Sequence, residues 1–156
     1  MDRLLYMSTP GTPSSPNPMK LIGLVNRTYA RVVDAPLREV GFAMGQLPVL
    51  VALKLHGPLP QAELVRMARV EQSSMAQLLA RMERDELVRR TPDPADGRSR
   101  LISLTENAAR RLPKGRSVME AASEMALQGL TTPERANLML LLERVLANLE
   151  RGDTQT

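Results

Sequence analysis

Cysteine is absent from all 156 residues, which excludes disulfides, thiolate metal sites, cysteine nucleophiles and thiol-based redox sensing. Tryptophan is also absent, and one Phe and two Tyr supply every aromatic ring. A chain that is 43% hydrophobic must therefore build its core mainly from Leu, Ala and Met, a set that favours helices over a β-sandwich. The single histidine, His56, cannot make a zinc site alone and leaves little general-base chemistry. No nucleophile with a neighbouring base, no carboxylate pair placed for acid–base work and no glycine-rich phosphate loop can be read from the chain. The reading is of a protein that is not an enzyme, with no cofactor and no metal. Asp2 and Arg3 precede no apolar run of signal-peptide length, and no stretch approaches the 18 or so residues of a membrane span. A soluble, cytoplasmic protein without a membrane partner is expected.

The chain does carry arginine. Basic residues number 21 against 17 acidic ones, a net charge of +4, and 18 of the 21 are Arg. The planar five-donor guanidinium suits phosphates and base edges better than an ammonium does, although GC-rich coding produces the same bias. The ten Met at helical spacings read as adaptable core filler.

Residues 8–18 read Ser-Thr-Pro-Gly-Thr-Pro-Ser-Ser-Pro-Asn-Pro and can neither hold a helix nor bury a face, so residues 1–18 are expected to form a disordered tail. From Met19, Leu21, Ile22, Leu24, Val25, Tyr29, Val32 and Val33 recur at helical spacing, with Pro36 kinking or ending the helix and Gly41 stopping it. A second helix over Leu47–Leu55 closes at His56-Gly57-Pro58. Short helices follow at Gln61–Ala68 and Gln72–Asp85, joined by Arg69-Val70-Glu71. The period then switches to strands at Leu87–Thr91 and Arg98–Leu104 around a turn-rich Pro92–Gly97. Thr105 caps a long helix containing Pro113 and Gly115, both expected to bend it. Thr132-Pro133-Glu134 reads as N-cap, first-position proline and first-turn acid of a last helix. That helix carries Leu138, Leu141, Leu142, Val145, Leu146 and Leu149 as one apolar stripe, to be covered within its own subunit or by a second copy. Residues 152–156 read as a tail.

Helix, tight turn, helix and hairpin is the order of a winged helix-turn-helix, so the fold class is mostly α (α+β). On the helix from Gln72, the apolar stripe of Met75, Leu78, Leu79 and Met82 leaves Ser73, Ser74, Gln77, Arg81 and Arg84 in a row on the other face. Gln can bond adenine bidentately, Arg guanine, and Ser a base or phosphate; a solvated polar face would look the same. At the hairpin tip, Asp96-Gly97-Arg98-Ser99-Arg100 sets two Arg on one side of a strand after an acid able to orient one of them. A guanidinium held there suits a narrow minor groove.

Taken with the stretch from Leu87-Val88-Arg89-Arg90 through Asp93-Pro94-Ala95-Asp96-Gly97-Arg98-Ser99-Arg100 to Leu101-Ile102-Ser103-Leu104-Thr105, the chain resembles the MarR family of transcriptional regulators over roughly residues 19–151. The resemblance rests on the Asp-x-Arg-x-Arg wing and the Leu-Thr-Glu start of the next helix. It implies a homodimer joined through N- and C-terminal dimerisation helices (residues 19–43 and 105–151). Two DNA-binding lobes (residues 44–104) would contact a pseudo-palindromic double-stranded operator, most commonly for repression. It makes Arg98 the minor-groove arginine and Asp96 its orienting acid, and places Gln72, Ser73, Ser74, Gln77 and Arg81 on the recognition helix. The chain departs from the family at Arg69 and Glu86, where glycine commonly ends a helix, and at Ala43, where Thr or Ser is the usual cap. A left-handed non-glycine residue costs about 1 kcal/mol, so the two turns are either built differently or strained, and Arg69 could instead face a phosphate. Pro48 could cost its helix a hydrogen bond.

The family resemblance also implies a small aromatic or anionic effector bound where the dimerisation helices meet the lobe. Arg27, Tyr29, Arg31, Arg38 and His56 are the candidates on those segments, with solvated or interhelical polar roles as their alternative. A winged-helix module for protein–protein assembly is the competing function. Its support is charge: residues 61–100 hold eight Arg against seven acids, a weak footprint for a DNA binder.

Overall fold

The computed structural model describes residues 17–153. The Pro-rich segment therefore lies outside the described residues except for Asn17 and Pro18, and so do residues 154–156. The chain divides into two compact units after Ala122.

In the first unit, helix α1 spans Pro18–Glu39. Asn17 caps it, its Oδ1 accepting the Met19 N–H at 2.9 Å, and Pro18 takes the first position, where a missing N–H costs nothing. Pro36 does not end this helix. Val33 and Leu37, one turn apart on either side of it, are fully buried, and their burial holds the backbone helical across the lost hydrogen bond. Gly41, at φ +79°, closes the helix as read from sequence. The Phe42 N–H reaches Leu37 O at 2.9 Å and the Gly41 N–H reaches Arg38 O at 3.0 Å, the paired bonds of a Schellman ending.

A 3-10 turn, Met44–Gln46, leads into α2, Leu47–His56. Ala43 has no side-chain oxygen to cap with; Gln46 reaches back instead, its Oε1 accepting the Ala43 N–H at 2.8 Å. Pro48 sits in the first turn of α2, where its N–H would have had no helical partner, so the anticipated loss does not arise. α2 is apolar on most sides because it is the central helix: Leu47, Val49, Leu50, Ala52 and Leu53 are all buried.

Strand β1 is Leu59–Pro60, α3 is Gln61–Ala68 and α4 is Gln72–Arg84. β2, Val88–Pro92, and β3, Arg100–Leu104, make the hairpin, with Val88 opposite Leu104 and Pro92 opposite Arg100. β1 adds to the free edge of β3, Leu59 opposite Ile102, giving an antiparallel sheet in the order β1-β3-β2. Two residues, one of them proline, carry no strand periodicity, which hides β1 from sequence. The core joins Val33 and Leu37 of α1 to Leu50, Leu64, Met75, Leu79, Met82 and Ile102.

Both departures from glycine keep the left-handed geometry. Arg69 has φ 52°, ψ 47° and Glu86 has φ 56°. At Glu86 the ending is again of Schellman type, with Leu87 N–H to Met82 O at 2.8 Å and Glu86 N–H to Glu83 O at 3.1 Å. Buried Leu87 and Val88 anchor the chain beyond it, and that burial exceeds the strain of about 1–2 kcal/mol. Glu86→Gly should therefore raise the unfolding free energy by up to about 1 kcal/mol, allowing for the extra freedom glycine has in the unfolded chain. Urea denaturation measures it.

Helix α5, Glu106–Ala126, begins in the first unit. Thr105 caps it, its Oγ1 accepting the Ala108 N–H at 3.1 Å. The helix runs unbroken through Pro113 and Gly115. In the second unit, α6 spans Thr132–Asp153, so residues 152 and 153 belong to it. Its cap is Thr131, one residue earlier than read from sequence. Glu134 Oε2 accepts both the N–H and the hydroxyl of Thr131 at 2.7 Å. These two bonds hold the Glu134 carboxyl below the usual carboxylate range. Pro133 thereby falls at the second helical position. Arg135 pairs with Glu124 at 2.9 Å and donates to Leu127 O, fastening the two helix ends of this unit. Of the α6 stripe, Leu138, Leu141, Leu142, Leu146 and Leu149 are all exposed.

Candidate nucleic-acid interface

α4 is set by a three-residue turn. The left-handed Arg69 lets the Val70 N–H return to Val65 O at 3.4 Å, and the chain re-enters helix at Gln72. Met75, Leu79 and Met82 are fully buried, which fixes the rotation of α4 and leaves Gln72, Ser73, Ser74, Gln77, Arg81 and Arg84 exposed together. Ala80 is exposed on this helix too. Sequence does not single it out, because a small apolar residue carries no donor or acceptor signal, yet it offers the kind of surface that meets a thymine methyl.

The wing tip is held by its aspartates. Asp93 Oδ1 accepts the Ala95 N–H at 2.9 Å and Asp96 Oδ1 accepts the Arg98 N–H at 3.0 Å. Backbone bonds from Ser99 to Asp96 (2.9 Å) and from Asp93 to Ser99 (3.1 Å) close the turn. Asp96 thus orients Arg98 through the main chain, as an Asx turn, and leaves the guanidinium unengaged. β3 begins only at Arg100, so Arg98 and Arg100 do not alternate along one strand as the sequence suggested: Arg98 stands in the turn and Arg100 at the strand's first position. Both are exposed.

Charge is distributed differently from its sum. Arg66 pairs with Glu63 at 2.7 Å and Arg90 with Glu83 at 3.2 Å, while Asp93 and Asp96 each engage an oxygen with a backbone N–H group. Arg89 donates to Ser103 Oγ at 3.3 Å. Among the described residues, Arg81, Arg84, Arg98 and Arg100 make no ion pair. Two of these four lie on α4 and two at the wing, so the near-neutral sum over residues 61–100 does not mean that each arginine there is neutralised by an acid.

The effector candidates are scattered. Tyr29 lines an open cleft of about 580 Å³ with Asn26, Met44, Leu47, Val51, Arg116 and Met119, and its hydroxyl donates to Met119 O at 3.2 Å. Arg27, Arg31 and Arg38 are exposed on α1 and do not line that cleft, and Arg38 pairs with Asp34. His56 lies at a separate hollow with Leu55, Leu64 and Met67. Sequence reasoning missed Arg116, which pairs with Glu120 at 3.7 Å at the cleft; 90 positions separate Tyr29 from Met119, and no local pattern joins α1 to α5. Among the described residues no group of three or more His, Asp or Glu is placed to hold a metal ion, and no helix is long and apolar enough to cross a membrane.

Residues 40–99 match the family model described as the MarR family. The HTH-type transcriptional repressor NicR of Pseudomonas putida is 34% identical over 107 residues, 69% of this chain and 68% of that protein. The solved structure of a cysteine-to-serine mutant of MarR from E. coli, complexed with operator DNA, superimposes with a TM-score of 0.75 at 26% identity, covering 82% of this chain and 92% of that one. A probable transcriptional regulator from Pseudomonas aeruginosa gives a TM-score of 0.74 at 28% identity, covering 83% and 96%. With the family match running through the helix-turn-helix to the wing tip, and a relative 34% identical over two thirds of both chains, the chain belongs to the MarR family.

Proposed function

We propose that this chain is a sequence-specific, double-stranded DNA-binding transcriptional regulator, a cytoplasmic repressor that acts as a homodimer and performs no chemistry of its own. The observation that carries the reading is the row of exposed Gln, Ser and unpaired Arg on α4 beside a wing tip whose backbone is fixed by Asp96. α4 lies in the major groove, where Gln72, Ser73, Ser74, Gln77 and Arg81 address base edges and phosphates. Arg98 reaches the adjacent minor groove and Arg100 the backbone beside it. The reading is supported by a relative that is a transcriptional repressor and by a structural neighbour bound to operator DNA. The four unpaired arginines favour it over a protein-assembly role, since a protein-binding wing has no use for a guanidinium held clear of its own acids.

The dimer is supported by exposed leucines of α6 and by Leu21 and Val25 of α1, more than half exposed; apolar surface of this extent calls for a partner. The Tyr29 cleft has the size of a small-molecule site. Tyr29 and Arg116 suit an aromatic anion that lowers DNA affinity when bound.

Selection from a random-sequence duplex pool tests the reading. The purified protein should enrich a pseudo-palindrome whose half-sites are centred about one helical turn, roughly 34 Å, apart or a multiple of it. Recovery of the pool without enrichment would refute sequence-specific binding.

A further inference from the structure

Gln46 is the one polar side chain buried among the described residues, at 8% exposure, and both polar atoms of its amide are engaged. Oε1 holds the Ala43 N–H at 2.8 Å. Nε2 donates to Asp85 Oδ2 at 3.5 Å, 39 positions along the chain. Asp85 is the residue that ends α4. A carboxylate there faces the negative end of the helix dipole, the wrong sign for stabilising the helix, and the Gln46 amide is the partner that offsets it.

The segment that carries Gln46 is fastened at its other end by α5. Arg111 Nη1 donates to Val40 O at 3.4 Å, its guanidinium lies 5.2 Å from the centre of the Phe42 ring, and it occupies the space beside Gly41 that a Cβ would need. Between the two fastenings, Met44 and Gly45 line the Tyr29 cleft. The 3-10 turn thus has one side in the cleft and the other against the end of α4.

We infer that Gln46 is a positioning residue that couples occupancy of the Tyr29 cleft to the placement of the recognition helix. The inference rests on the reading of the chain as a DNA-binding regulator with an effector cleft. A group entering the cleft presses on Met44 and displaces a short turn that has no slack. At 3.5 Å the Gln46–Asp85 contact is at the limit of a hydrogen bond, so a shift of a few tenths of an ångström breaks it or drags Asp85 with it. Breaking it leaves a buried amide without its partner. Either response alters how the C-terminal half of α4, with Arg81 and Arg84, meets DNA.

A double-mutant cycle reads this coupling without a known effector. Met44→Trp enlarges the side chain that the turn presents to the cleft and so strains the turn. The probe is the duplex that the wild-type protein enriches from a random pool, and affinity is measured by fluorescence anisotropy. Met44→Trp is expected to weaken binding about tenfold in the otherwise wild-type protein and less than about twofold in Gln46→Leu or Asp85→Ala. Asp85 is exposed, so Asp85→Ala carries the test if Gln46→Leu fails to fold. The same factor in every background, or no effect of Met44→Trp in any, overturns the coupling while leaving the DNA-binding reading intact. Failure of the wild-type protein to enrich any duplex overturns that reading, and the inference with it.

Discussion

Arg98→Ala should weaken binding to the selected duplex by at least about thirtyfold while leaving the melting temperature unchanged. The side chain is exposed and makes no ion pair among the described residues, so the fold gives up nothing when it is truncated. A specific guanidinium contact is worth roughly 1–3 kcal/mol, and a dimer loses two of them. Arg98→Lys keeps the charge but loses the planar fork, and should recover only part of the affinity. Asp96→Ala should cost less than Arg98→Ala, because Asp96 acts on the Arg98 backbone; without it the tip has more conformations to lose on binding. Fluorescence anisotropy at fixed salt separates the three variants. Wild-type affinity in Arg98→Ala would show that the wing does not touch DNA.

The second large effect concerns assembly. Leu142→Asp combined with Leu146→Asp should convert the dimer to a monomer at micromolar concentration, as read by analytical ultracentrifugation. Both leucines are substantially exposed, 39% for Leu142 and 49% for Leu146, so the helix itself loses little. Its start is held elsewhere, by the two bonds that Thr131 donates to the Glu134 carboxylate. A two-fold interface buries each leucine twice. Full burial is worth about 1.5–3 kcal/mol per side chain, and a little under half of it is still to be gained here. Four lost leucines therefore amount to roughly 3–5 kcal/mol, and the four carboxylates that replace them would also have to be desolvated in the interface. DNA affinity should fall with it, since one lobe reads only a half-site. A double variant that still sediments as a dimer would place the subunit contact elsewhere.

What is legible in the chain follows from where its information is local. Gly41 and Gly57 have positive φ, Thr105 caps α5, and the stripe of Met75, Leu79 and Met82 fixes which face of α4 points outward; each is a signal complete within a few residues. Glu86 is ambiguous in sequence because left-handed geometry there is imposed by the burial of Leu87 and Val88 beyond the turn. The register of the α6 cap is misread because Thr131 and Thr132 are equally good caps until Glu134 chooses between them. Pro36 sits inside α1 because Val33 and Leu37 are buried around it, a fact of packing. Gln46 and Arg116 are invisible because their roles depend on other elements: a buried glutamine looks like any surface glutamine until Asp85 and Ala43 are beside it.

Whether α4 and the wing read a DNA sequence is settled most directly by affinity across a salt series. The wild-type protein is titrated against the selected duplex and a shuffled duplex of equal length and composition, from about 50 to about 200 mM salt. Log affinity should fall linearly with log salt for both, by about 0.9 per phosphate contacted, with the selected duplex bound roughly a thousandfold or more tighter. Coincident lines for the two duplexes would contradict sequence reading: the unpaired arginines would then bind charge alone.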